Sequence, residues 1–387
     1  MNFKGLMLAA AAATAATGAS AADLPVAPEP VDYVKVCDAY GARFYYIPGT
    51  DTCLRVGGRI RAQYTLNNMG DNNSDGFGGR DADNYSMIGR GYLYLDSRTS
   101  TEFGLLRTYA EFQGTSGGSV VADKAFIQWG GLTAGYATSF FDFFTGQSYI
   151  GPVTRNWSDQ TTDLIAYTAA FGNGFSATVS LEEGGYREVD EGDTAVNGVL
   201  YGGQYLPDLV ANLRVDQGWG SAQLSAALHD VRSNDAAHIA GIDSELGWAV
   251  QGGVIINLPM LSSSSNIAFQ AAYADGALAY LGAADDSIYY DLAAVAGNGK
   301  TSSGWNVGGG IYHQMGAIGV SLDGSYLDVD LAGTNNDVTR WAIDGSVKWA
   351  PVSGLDMGVA VGYANTDIDN TSDVDELLAA FRIQRTF

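Results

Sequence analysis

Apolar positions in this chain recur at every second residue, the period of a strand. Between residues 54 and 66, Leu54, Val56, Ile60, Ala62, Tyr64 and Leu66 share one face, while Arg55, Arg59, Arg61, Gln63 and Thr65 share the other. The stretch 341–349 sets Trp341, Ile343, Gly345, Val347 and Trp349 in line with an aromatic at each end, and the chain closes on an alternating stretch that runs to Phe387. Counting such segments gives about sixteen strands, near 54–66, 86–98, 104–113, 121–129, 132–138, 162–171, 175–183, 207–216, 219–231, 246–256, 267–275, 304–314, 318–329, 338–349, 355–365 and 376–387.

Three arginines on one strand face cannot lie in lipid, where each would cost ~2–4 kcal/mol at the bilayer midplane. That face must meet water and its opposite must meet lipid or a core. Connections sort the same way: 130–131, 173–174 and 217–218 are tight turns, whereas 67–84, 139–161, 184–205, 232–245, 275–303, 331–337 and 366–376 read as long and polar. Short turns at one end and long loops at the other describe a barrel in an outer membrane. An even strand count brings the first and last strands together and leaves no free edge. The expected fold is all-β, a sixteen-stranded antiparallel transmembrane β-barrel over 54–387 enclosing a water-filled lumen.

The start of the chain agrees with export. Lys4 precedes an apolar run over 6–16, and Ala19-Ser20-Ala21 offers a cleavage site, so 1–21 reads as a signal peptide. The run is too short for a membrane anchor, which needs about 20 residues. Beyond it, Gly, Ser, Asn and Asp interrupt every apolar run, and 51 glycines and 22 tyrosines against 8 prolines suit many strands joined by tight turns. A net charge of −23 argues against nucleic acid as a partner. Cys37 and Cys53 would be bridged in an oxidising periplasm, pinning the segment 22–53; a loop of that size stabilises a fold by roughly 3 kcal/mol in the chain-entropy model. Free thiols or a metal site are the alternatives, but His229, His238 and His313 lie far along the chain. Nothing calls for a cofactor.

Cations are unevenly spread: Arg55, Arg59, Arg61, Arg90, Arg98, Arg107 and Lys124 all fall on the first four strands, mostly with water-facing parity. The loop 139–161 is unusual in another way, since Phe140, Phe141, Phe143 and Phe144 are too apolar for solvent yet break strand alternation. Folding the loop into the lumen would bury them and would set Asp142, Asp159 and Asp163 across from the arginines. A basic wall facing an acidic loop would sort solutes by size and charge. The bland alternative is that these cations pair with Asp96, Glu102, Glu111 and Asp123, or solvate the rim.

The runs Val36-Cys37-Asp38-Ala39-Tyr40-Gly41 and Tyr46-Ile47-Pro48-Gly49-Thr50-Asp51-Thr52-Cys53-Leu54-Arg55-Val56-Gly57-Gly58, continued at 98–108, 125–135, 212–217 and 381–387, resemble the alphaproteobacterial general porins. The resemblance implies a homotrimer whose third extracellular loop narrows a pore for ions and small hydrophilic solutes. It also implies that Phe387 is read as an assembly signal by the outer-membrane insertion machinery.

Weaker patterns have plainer readings. Gly172-Asn173-Gly174-Phe175-Ser176-Ala177 fits a loose dinucleotide fingerprint, but it joins two strands and reads as a hairpin turn. Asp71, Asn73 and Asp75 occupy the first, third and fifth positions of a calcium loop that lacks its closing Glu, so an ordinary loop is the simpler account. Acid runs at 188–193 and 367–376 would lie outside the cell beside lipopolysaccharide. A hydrolase is poorly served, because His313 has lipid-facing parity. The stronger rival is a substrate-specific, sugar-type channel, for which Tyr92, Tyr94 and Phe126 supply lumen-facing rings.

Overall fold

The computed structural model describes residues 35–67, 69, 83–189, 201–283, 285, 288–295, 298–333, 337–371 and 373–387. The signal segment 1–21, the start of 22–53 and the calcium candidates Asp71, Asn73 and Asp75 lie outside them. The strands are β1 (Tyr45–Tyr46), β2 (Cys53–Leu66), β3 (Tyr85–Thr101), β4 (Gly104–Thr115), β5 (Val120–Trp129), β6 (Leu132–Thr138), β7 (Thr161–Gly172), β8 (Phe175–Glu182), β9 (Asp208–Gln217), β10 (Gly220–Val231), β11 (Glu245–Asn257), β12 (Asn266–Asp275), β13 (Leu292–Val295), β14 (Asn298–Thr301), β15 (Ser303–Met315), β16 (Ile318–Asp330), β17 (Asp337–Val352), β18 (Leu355–Ile368) and β19 (Val374–Thr386).

Each of the sixteen strands β2–β12 and β15–β19 pairs antiparallel with its sequence neighbours, and β19 returns to pair with β2 from Ala379↔Leu66 to Thr386↔Arg59. The sheet is therefore a closed barrel, and all sixteen segments expected from the alternation are strands. Closure extends one residue past β19: Phe387 N–H donates to Gly58 O at 3.0 Å, and Gly58 N–H donates to Phe387 O at 3.1 Å. The small β13–β14 ribbon belongs to the connection between β12 and β15.

Alternation along each strand sorts solvent. On β17, Trp341, Ile343, Val347 and Trp349 are exposed on the outer face, while Ala342, Asp344 and Ser346 are buried inside. Outer aromatics pair across strands near the long-loop end, as in Trp248–Tyr273, Trp305–Tyr326 and Trp341–Tyr363 with ring centroids 5.0–5.3 Å apart; amphipathic rings favour such an interface. The turn at Asn173-Gly174 is a two-residue hairpin in which both residues have positive φ (52° and 79°), and a Cβ on Gly174 would meet Asp216 O at 1.9 Å.

At the short-turn end, Cys37 and Cys53 form a disulfide with Cα atoms 6.0 Å apart. Phe44 is buried beside it, and the guanidinium carbons of Arg98 and Arg55 lie 4.9 and 5.1 Å from its ring centre. Since both arginines have inner parity, the segment around β1 folds across the mouth of the barrel.

Gly58 gives a test of closure. A Cβ there would approach Phe387 Cζ to 2.5 Å and Tyr92 O to 2.9 Å. Gly58→Val should displace the terminal residue and lower stability by about 1–3 kcal/mol, seen as an earlier urea midpoint of the detergent-folded protein. An unchanged midpoint would show that this contact contributes nothing to closure.

Candidate functional site

Residues 139–160 connect β6 to β7, and their hydrogen bonds reach ten other strands, β15 through Asn306 and β18 through Asp356 among them. Asn212 on β9 donates to Phe140 O (2.7 Å), while Gln223 and Ser225 on β10 and Gln251 on β11 donate to Phe141 O at 2.9–3.3 Å. Gln270 on β12 both accepts from Phe144 N–H and donates to Phe144 O. Asp323 on β16 accepts from the backbone N–H groups of Gln147 and Ser148 at 2.7 and 2.6 Å. Ser346 on β17 accepts from Tyr149 N–H, and Arg382 on β19 donates to Tyr149 O. Glu182 on β8 accepts from Phe140 N–H. Every one of these wall residues has the parity opposite to the exposed apolar set, so the loop lies along the inner face.

The phenyl rings follow. Phe141 is fully buried edge-on to Tyr280 (4.7 Å) and Phe144 edge-on to Trp157 (5.0 Å). Phe140 and Phe143 are partly buried, and Phe143 lies where a Cβ on Gly253 would come within 2.5 Å of it.

A second connection also folds in, which its length and apparent polarity conceal. The region 275–303 was expected to be a polar loop, but the turn Leu278–Leu281 within it is buried throughout. The signal was present as an apolar Leu-Ala-Tyr-Leu run inside the loop. Asp291 anchors it by accepting from Leu278 N–H (2.7 Å), Val189 N–H (3.2 Å) and Tyr201 O–H (3.2 Å); burial pushes its carboxyl up to about 6, against the pull of His229 and these donors. Asp208 joins the set by contacting His229 Nδ1 at 2.7 Å and accepting from Tyr280 O–H at 2.6 Å. Together the two loops cover the inner faces of β9–β12 and β15–β18, where Gln223, Gln270, Asn306 and Asp323 are buried.

Water therefore reaches the opposite arc. On β19 and β2–β5 the inner residues Arg382, Arg59, Arg61, Arg90, Tyr94, Tyr109, Glu111, Lys124 and Phe126 are half-buried. The cations divide into two groups. Arg55, Arg98 and Arg107 converge on the buried Asp96 at 3.3, 2.9 and 3.0 Å, near the short-turn end. Higher up, Arg59 stacks on Tyr92 at 3.8 Å, Arg61 Nε donates to Gln384, and Arg90 donates to Thr115 and Gln113. Lys124 donates to Thr138 at 2.7 Å. Arg382, from the last strand, joins Arg59, Arg61 and Arg90 because closure brings β19 beside β2.

The expected acids are disposed differently. Asp142 turns away from the arginines and is buried, paired with Arg187 at 3.2 Å and bonded to Ser158 Oγ and Gln160 N–H. Asp163 has outward parity with Ile165 and Tyr167 and accepts from Tyr186 O–H, so it does not face the lumen. Asp159 alone of the three is exposed inside, beside Arg155, Trp157 and Arg187 in a cavity of about 350 Å³. Of the six cations singled out from sequence, Arg55 and Arg107 serve Asp96, and Arg59, Arg61, Arg90 and Lys124 lie on the water-facing arc.

A closed sixteen-stranded barrel with an apolar outer belt, a polar inner face and an inward-folded loop defines an outer-membrane channel. The profile of the family described as "Porin subfamily" matches residues 23–384, and the chain belongs to the porin family. It is 32% identical to porin Omp2b of Brucella suis over 423 residues, covering all of both chains, and 40% identical to porin Omp2b of Brucella abortus (strain 2308) over 264 residues, covering 62% of this chain and 70% of that one. Among solved structures, the outer membrane channel DcaP of Acinetobacter baumannii superposes with a TM-score of 0.71 at 17% identity, over 88% of this chain and 99% of that one. OmpT of Vibrio cholerae in its trimer form gives 0.55 at 10% identity, over 87% and 100%. The protein is thus a multi-pass outer-membrane porin, a channel for passive diffusion.

Anchoring of the loop is testable at Asp323. Asp323→Ala leaves two loop N–H groups without their acceptor, a local cost of about 1–3 kcal/mol each, and should raise single-channel conductance with the barrel intact. Wild-type conductance in the variant would mean these bonds do not hold the loop.

Proposed function

We propose that solutes pass along the arc formed by β19 and β2–β5, and that residues 139–160 set the size limit by narrowing this passage. The observation that carries the reading is the accessibility of Arg59, Arg61, Arg90 and Arg382 on an inner face whose other side is covered by loops. The passage would be lined by the Arg59–Arg61–Arg90 wall on one side and by Tyr149 and its neighbours on the other. Selection by charge would come from the wall itself, with Asp159 the only loop acid of the three still turned to water. The rival sugar-type channel draws on the rings of Tyr92 and Tyr94, stacked at 6.3 Å, and of Tyr109 and Phe126 at 5.4 Å.

Deleting residues 146–152 should enlarge conductance and admit bulkier solutes while the barrel stays folded. Flux of graded sugars and charged solutes through reconstituted bilayers reads this out. Equal size limits before and after deletion would remove the loop from the passage, and a current that a sugar blocks with saturation would favour the sugar-type channel.

The barrel is proposed to work as a homotrimer in a lipid and lipopolysaccharide bilayer, following residues 1–21 as a removable export signal. Phe387 is proposed as the residue that the insertion machinery reads; its ring is exposed on the outer face at the short-turn end, accessible to such a partner. Replacing it with Asp should slow insertion and leave protease-sensitive periplasmic chain, whereas changing lumen-facing Gln384 to Glu should do little. Pulse-chase with membrane fractionation checks this, and equal insertion of all three chains would remove the role.

A further inference from the structure

Charge matching around the lumen is uneven. On the inner wall Arg55, Arg98 and Arg107 share Asp96, Arg214 pairs with Asp216 and Arg340 pairs with Glu376. Among the described residues, no carboxylate lies within 4.0 Å of the guanidinium groups of Arg59, Arg61, Arg90 or Arg382. These four are neighbours by register: Arg61 lies directly opposite Arg90, Arg59 lies opposite Tyr92, and Arg382 is diagonal to Arg61 across the β19–β2 seam. Directly opposed residues have Cβ atoms about 4.5–5.5 Å apart and diagonal ones about 7–8 Å, within reach of one small ion. Arg59 Nε is buried and has no hydrogen-bond partner.

We infer that these four guanidinium groups form a binding step for small multivalent oxyanions, of the phosphate or polycarboxylate class, and make the pore prefer anions although the whole chain carries −23. Planar guanidinium groups bind oxyanions through paired N–H donors, and four of them without carboxylates would repel one another unless an anion lay between them. Their companions fix them in place: Tyr92 lies under Arg59 and Arg61, Gln384 accepts from Arg61, Gln63 accepts from Arg382, and Thr115 accepts from Arg90. The acids nearest in register do not cancel the cluster. Glu111 accepts from Tyr109 O–H, Asp123 accepts from Gln113, and Asp356 is two strands from Arg61. Acids elsewhere on the chain act on the passage only weakly, because salt screens them within about 10 Å at 0.1 M.

The inference rests on the passage running along this arc, and its test separates the two. Reversal potentials in a KCl gradient should report anion preference, and added inorganic phosphate should reduce chloride current in a saturable way. Arg90→Gln, which gives up hydrogen bonds to Thr115 and Gln113 on the neighbouring strand, and Arg59→Gln should each lower the anion-to-cation ratio by roughly twofold or more and weaken phosphate block, while Arg382→Lys should keep the preference for anions but weaken the block. Heat-modifiable gel mobility verifies the folded barrel. A wild-type pore that prefers cations, or that phosphate blocks equally in all variants, overturns the oxyanion step and leaves the porin assignment standing. If removing 146–152 also leaves the size limit unchanged, the passage has been placed wrongly, and the binding step falls with it.

Discussion

Lipid accepts no unpaired backbone amide or carbonyl, and this constraint organises the molecule. A sheet can satisfy it only by closing on itself, so everything follows from the seam where β19 meets β2. The seam is continuous to the final residue, with Phe387 and Gly58 exchanging both hydrogen bonds. Closure at this circumference in turn leaves a lumen too wide for strand side chains to fill. The inward loops answer that second condition, satisfying their own backbone groups on the polar side chains of the wall.

Those loops create a division of labour around the barrel. On the β9–β18 side the inner residues are structural: Gln223, Gln270, Asp323 and Asp344 are buried acceptors and donors for loop backbone or for Arg155. On the β19 and β2–β5 side they are lightly engaged and meet water. Near the short-turn end, Asp96 with three arginines and the disulfide-held segment around Phe44 tighten the mouth. Burying a carboxylate is tolerable there because charge-assisted bonds from three guanidinium groups replace its water.

Much of this was legible in the sequence because period-two alternation is local: one face must suit lipid and the other water, and each strand declares both. The four phenylalanines of 139–161 likewise announced an unusual loop. Pairings between distant segments were not legible. Asp142 reads as a free lumen acid until Arg187 of another connection meets it, and Asp163 looks equivalent until strand parity turns it outward. Arg382 escaped notice as part of the basic wall because it stands alone near the chain end, and only closure makes it a neighbour of Arg61. The buried Leu278–Leu281 turn was hidden by the polar residues on either side.

The unequal engagement of the two arcs has an evolutionary consequence. Residues on the loop-covered arc hold several partners each, so substitutions there would disturb the tertiary structure. Arg90 and Lys124, by contrast, hydrogen-bond to wall side chains, Thr115 and Gln113 or Thr138, and not to loop backbone, and could be exchanged one at a time without unfastening the loop. Drift in permeability between related species should therefore concentrate on one third of the circumference, letting a lineage retune which nutrients enter while the scaffold that survives the cell surface stays the same.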